Sequence, residues 1–168
     1  SLGNTGTLGS GDVQWMTAGS GIIHQEMPKG DPQGRMHGFQ LWANLPKSLK
    51  MTDPRYQDIL AKDIPEVTDD DGTRARIVVG DFWGKRGPVD GIAAEPRYLD
   101  VWVPPGKKKT LPFETGRQGF AYVFEGSGRT TQNWVPAVDV WETEGELVYA
   151  FDLPEVPEAT GGGTATVT

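Results

Sequence analysis

Apolar and polar side chains alternate over short runs along most of this chain. In DVQWMT (12–17), Val13, Trp15 and Thr17 share one face, the period of two that a half-buried strand requires. AGSG (18–21) reads as a turn. IIHQEM (22–27), closed by Pro28, predicts a second strand with Ile22, His24 and Glu26 on one face and Ile23, Gln25 and Met27 on the other. HGFQLWANLP (37–46) predicts a third, with Phe39 and Leu41 opposite Gln40 and Trp42. MTDPRYQDILAKDIPEV (51–67) breaks the pattern. Pro54 follows the cap candidates Thr52 and Asp53, and Tyr56, Ile59 and Leu60 fall at helical spacing, so a short helix or helical turn is expected there. TDDDGT (68–73) is a loop, and short strands are expected within 74–84, 97–106, 110–113 and 119–128. AVDVWET and ELVYAF read as a hairpin around Thr143-Glu144-Gly145. Many short strands, one helix and no strand–helix–strand alternation predict an all-β barrel or sandwich.

Composition agrees. The chain has 168 residues, long enough for a real core, and its 23 Gly and 13 Pro are dispersed as turn residues would be. With no Cys, disulfides and thiolate metal sites are excluded. No apolar run is long enough to span a bilayer as a helix, and no leader is visible, so the compartment expected by default is the cytoplasm, or the nucleus in a eukaryote. Acidic and basic side chains balance through residue 134. The whole net charge of −7 therefore sits in residues 135 to 168. An acidic chain lacks the basic footprint of a direct nucleic-acid binder. Lys107, Lys108 and Lys109, after Pro104-Pro105-Gly106, read as a solvated turn.

The candidate chemistry lies in the second run. His24 and Glu26, two apart on one strand, would project side by side, and an imidazole nitrogen converging with a carboxylate oxygen suits Fe(II), Mn(II), Ni(II) or Zn(II). Two donors do not make a site, since a functional centre needs at least three protein ligands. The pair alone more readily describes a histidine hydrogen-bonded to a neighbouring carboxylate or to backbone.

GDVQWMTAGSGIIHQEMP (11–28), followed by GFQLWANLP and KMTDPRYQ, resembles the pirin family of the cupin superfamily. The spacing of Gly11, Thr17, Gly19 and His24 is similar to the second cupin motif as pirins carry it, and the resemblance runs from Ser1 to about Arg129. YLDVWVPPGKKKTLPF and GFAYVFEGSG look like the opening strands of the second barrel of a pirin. The resemblance implies a bicupin, incomplete at both ends: residues 1–68 from a first cupin domain and 69–132 from a second. It implies a non-haem Fe(II) held by three His and one Glu, with one of those histidines at His24 and the glutamate at Glu26. The other two histidines of the family lie in an HxH motif upstream of Ser1, and His37 is not a ligand position. NWVPAVDVWETEGELVYAFDLPEVPEA (133–159) resembles the opening of a small heat-shock protein α-crystallin domain, and TGGGTATVT (160–168) reads as a flexible tail.

Three functions follow as expectations. The chain is a pirin-like cupin that binds iron and acts on a small phenolic substrate in the manner of a quercetin 2,3-dioxygenase, with catalysis set back by the two absent histidines. Alternatively it works by contact with a protein partner such as a transcriptional regulator, its metal site vestigial. Or residues 133–159 make it a chaperone-like or self-associating module. Neither a membrane nor nucleic acid is an expected partner.

Overall fold

The computed structural model describes residues 6–27, 29–93, 95–112, 117 and 119–126, together with the backbones of 146–150 and 164–167. Among them the regular elements are strands, broken by one-turn 3-10 helices at Lys47–Leu49 and Ala61–Asp63. The strands are β1 (Val13–Thr17), β2 (Arg55–Ile59), β3 (Glu66–Thr68), β4 (Arg74–Val79), β5 (Asp81–Phe82) and β6 (Lys85–Arg86). They continue as β7 (Tyr98–Trp102), β8 (Lys109–Pro112), β9 (Phe120–Phe124), β10 (Glu146–Ala150) and β11 (Thr164–Val167). The protein is all-β, as its alternating pattern predicts.

The largest sheet has the order β3-β4-β7-β10-β9, with each neighbouring pair antiparallel. Its inner face is the main core. Ala75 pairs with Val101 and Ile77 with Leu99, so alternate residues of β4 and β7 meet side by side, and Phe82 and Leu111 close over them. Ala75, Ile77 and Val101 are 0% exposed, which makes this the anchor of the molecule. The register of β4 against β7 slips between Ile77 and Val79. That bulge lets Val78 and Val79 both be buried, and a second cluster forms from Ile64, Val78, Val79 and Val89 with Val13, Trp15, Ile59 and Tyr98 packed against it. The second cluster attaches the small sheet β1-β2 to the large one.

Polar ties reinforce this junction. The Gln57 amide exchanges two hydrogen bonds with the Asp90 backbone, at 2.9 and 3.1 Å, and Arg55 grips the Asp90 carboxylate at 2.6 Å. Arg76 donates to the Gly11 carbonyl at 3.0 Å and lies 3.7 Å from Asp100. Burial pushes the Asp100 carboxyl up from its ordinary range, and Arg76 only partly offsets it. In the loop 69–73, Asp69 and Asp71 accept backbone N–H bonds and both pair with Lys109. Lys109 is thus a half-buried strand residue, and only Lys107 and Lys108 keep the solvated-turn character expected of the triplet.

Several local expectations are corrected. Residues 55–59, where Tyr56 and Ile59 suggested a helix, are a strand, and the helical turn within 51–67 falls instead at Ala61–Asp63; β1 pairs with β2 from Val13↔Ile59 to Thr17↔Arg55. Tyr56, Ile59 and Leu60 fit helical spacing, yet the ladder with β1 satisfies the same backbone groups and puts Gln57 in reach of Asp90. Residues 22–27 and 37–46 form no ladder among the described residues. Alternation makes such runs suitable for a sheet, but a strand also needs a neighbour. The run 74–84 divides into β4 and the start of the β5–β6 hairpin, whose turn residues Trp83 and Gly84 both have positive φ, 42° and 76°. Of the expected 133–159 hairpin, only the backbone of β10 lies within the described residues, and it runs between β7 and β9. Thr164–Val167, in the stretch expected to be a flexible tail, runs as β11 beside β8. Thr and Val are good strand residues, and β8 offers an edge to pair with.

Candidate functional site

The run that carries His24 is aimed by the turn before it. Ser20 N–H donates to the Thr52 carbonyl at 2.9 Å and Gly21 N–H to the Ala18 carbonyl at 3.0 Å. Gly19 has φ +52°, and a Cβ there would stand 2.1 Å from the Thr52 carbonyl oxygen, so both the backbone conformation and the close approach require glycine. The chain thus leaves β1 pinned to the segment before β2 and runs on through 22–27. Gly11 serves the other end of β1: at φ +77° its carbonyl meets Arg76, and a Cβ would press on Ala61 at 3.3 Å. Asp12 accepts from the Ala61 and Gly9 N–H groups at 2.7 and 2.8 Å, and these bonds, Ala61's the stronger, hold its carboxyl below the usual range.

His24 and Glu26 come together. His24 Nε2 lies 3.7 Å from Glu26 Oε1, with side chains 35% and 58% exposed. The spacing of two brings the groups to one side even without a ladder. The run is open: Ile23 is 82% exposed and Met27 77%. Trp15 and Thr17 pair in register with Gln57 and Arg55 of β2, so β1 does not flank the His24–Glu26 pair through a ladder.

His37 turns elsewhere. Its ring stands 5.7 Å from both Phe39 and Phe124, and Phe39 packs 4.6 Å from Phe124 and 5.9 Å from Tyr122. His37 is therefore part of an aromatic contact with β9. Gln40 and Trp42, on the other side of that run, reach toward the pair: Gln40 donates to Glu26 Oε1 at 3.4 Å, and Trp42 Nε1 donates to Gln40 Oε1 at 3.2 Å. The alternation of 37–42 separates Phe39 from Gln40 and Trp42 on sequence alone; that the polar side would meet Glu26 carries no sequence signal.

The donor set tests the fit of a metal. A transition-metal centre takes three or four protein ligands. Among the described residues no group of three or more His, Asp or Glu converges, so His24 and Glu26 offer two donors of suitable chemistry and do not amount to a complete cage.

A model of the Pirin family matches residues 1–43, the part that holds this turn and both donors. A pirin-like protein of Caulobacter vibrioides is 42% identical over 137 residues, covering 81% of this chain and 49% of that protein. Human pirin is 39% identical over 124 residues, covering 74% of this chain and 41% of pirin. Over about three-quarters of its length the chain matches the pirin family. A crystal structure of quercetin 2,3-dioxygenase from Acinetobacter baumannii superposes with a TM-score of 0.69 at 31% identity, covering 98% of this chain and 54% of that one. The all-β fold is accordingly of the cupin type seen in pirins, and the chain spans about half the length of the relatives it matches. The resemblance of 133–159 to a small heat-shock protein gains nothing from these relatives. Among the described residues no helix is long and apolar enough to cross a membrane.

Proposed function

We propose that this chain is a pirin-type cupin whose His24 and Glu26 supply two donors of a divalent metal centre, Fe(II) first among the candidates, in a protein that acts on a small phenolic compound as quercetin 2,3-dioxygenases do. The observation that carries this reading is the approach of His24 Nε2 to Glu26 Oε1 at 3.7 Å, on a run aimed by a turn that only glycine can make. Imidazole plus carboxylate is the mixed set that suits non-haem iron. The chain's other histidine, His37, stands against Phe124, so a complete centre needs donors beyond those the described residues bring to the pair. Such a metal would act as a Lewis acid or bind oxygen; the residues here orient it and leave the surrounding face open.

Metal titration of the 168-residue chain tests this. Weak one-to-one binding of Fe(II) or Zn(II), stripped by a mild chelator and lost in both His24→Ala and Glu26→Gln, is expected. Binding indifferent to both substitutions overturns it. The protein-contact reading draws on one observation of its own, the exposure of Ile23, Met27 and Trp42 along a single run.

A further inference from the structure

We infer that Gln40 is a positioning residue for Glu26, oriented by Trp42 and anchored through Phe39. The inference rests on the metal reading of His24 and Glu26 and extends it to the side chains that set the carboxylate.

The geometry runs in one direction. Trp42 Nε1 can only donate, and it donates to Gln40 Oε1 at 3.2 Å. That fixes the Gln40 amide with its oxygen toward Trp42 and its nitrogen toward Glu26, where Nε2 donates to Oε1 at 3.4 Å. The same Oε1 faces His24 Nε2 at 3.7 Å. One carboxylate oxygen is therefore held between an amide donor and the imidazole, while Oε2 is left by both. An acid side chain that is 58% exposed would otherwise sample several rotamers in water. The run that carries Gln40 is seated on its opposite side through aromatic contacts. Phe39 and His37 seat on Phe124, which is itself 5% exposed on the edge of the large sheet. The alternation of 37–42 thus does two jobs: odd positions fasten the run to β9, and even positions present an amide and an indole to the candidate ligand. Partners of metal-binding carboxylates orient them in this way, and their loss typically costs about 10–100-fold in metal affinity.

Two measurements on the full chain decide it. In the first, the Gln40 side-chain amide and the Trp42 indole N–H are followed by NMR without metal, in wild type and in Glu26→Ala. Both signals are expected to move, while the indoles of Trp15, Trp83 and Trp102 stay in place and report an intact fold. Unmoved Gln40 and Trp42 signals overturn the inference whatever the metal does. In the second, Zn(II) affinity is measured by chelator competition in wild type and Gln40→Leu. A loss of about 10–100-fold is expected, with Lys85→Ala on β6 as an unchanged control; unchanged affinity in Gln40→Leu overturns the positioning role. If wild type takes up no Zn(II), the metal reading falls, and the NMR result alone decides whether Gln40 holds the carboxylate.

Discussion

The β4–β7 ladder and the run 22–42 have similar alternation and opposite fates. In β4 and β7, Ala75, Ile77 and Val101 are completely buried. In the run, Ile23 is 82% and Trp42 79% exposed. The difference lies in their neighbours. β4 has a strand on each side, so its inward side chains face Leu111, Phe82 and Val123. The run has no ladder on either side among the described residues and touches the rest of the molecule through His37, Phe39 and the Gly19 turn. Stability is thus held in the large sheet, and the candidate chemistry rides on a loosely supported arm, where conformational freedom is greatest.

Substitutions should separate the two regions. The largest effect is expected at Ile77→Ala, about 2–5 kcal/mol by the usual cost of deleting a buried aliphatic side chain; Ile23→Ala, an exposed change, should stay within ~0.5 kcal/mol. Denaturant unfolding of both variants checks this, and equal losses would show that the run is packed as firmly as the sheet.

Next in size is the junction between the regions. Gln57→Leu leaves the Asp90 N–H without its partner, and the Asp90 carbonyl with Arg55 alone, in a place where Gln57 is 9% exposed, and a cost of about 1–3 kcal/mol is expected. Gly19→Ala should cost a similar ~1–3 kcal/mol, because alanine must adopt a left-handed φ and displace the Thr52 carbonyl. Gly19→Ala should in addition weaken any metal binding at His24 and Glu26, which Gln57→Leu should leave alone. Metal titration of the two variants, matched for stability, makes the comparison sharper.

The smallest effect is in pH dependence. The Asp100 carboxyl is raised by burial, so the folded state takes its proton more readily than the unfolded chain does. Its contribution to stability therefore grows as pH falls through the folded value and levels off below the ordinary value near 3.8. Asp12 and Asp71 are lowered by hydrogen bonds, and theirs runs the other way: present above 3.8, lost as pH falls further. Asp100→Asn should steepen the loss of stability as pH falls toward 3.8. A variant that follows the wild-type curve in urea melts across that range would remove Asp100 from the account.

Alternation by itself determined the fold class, the existence of β1, β4, β7 and β9, and which side chains share a face at 24/26 and at 40/42. These follow from the two-residue period of an extended chain, which needs no knowledge of neighbours. The GSG turn and the His24–Glu26 spacing were legible for the same reason, and the resemblance they carry placed the chain among the pirins. Tertiary structure decided the rest. Residues 55–59 became a strand because β1 offered a ladder, a long-range fact that outweighs the local helical spacing of Tyr56, Ile59 and Leu60. The runs 22–27 and 37–46 stayed outside any described ladder because a strand is a property of two segments. Gln40 came to Glu26 across 14 positions through the seat of Phe39 on Phe124. A periodic pattern shows which face a side chain is on; only the packed chain shows what that face meets.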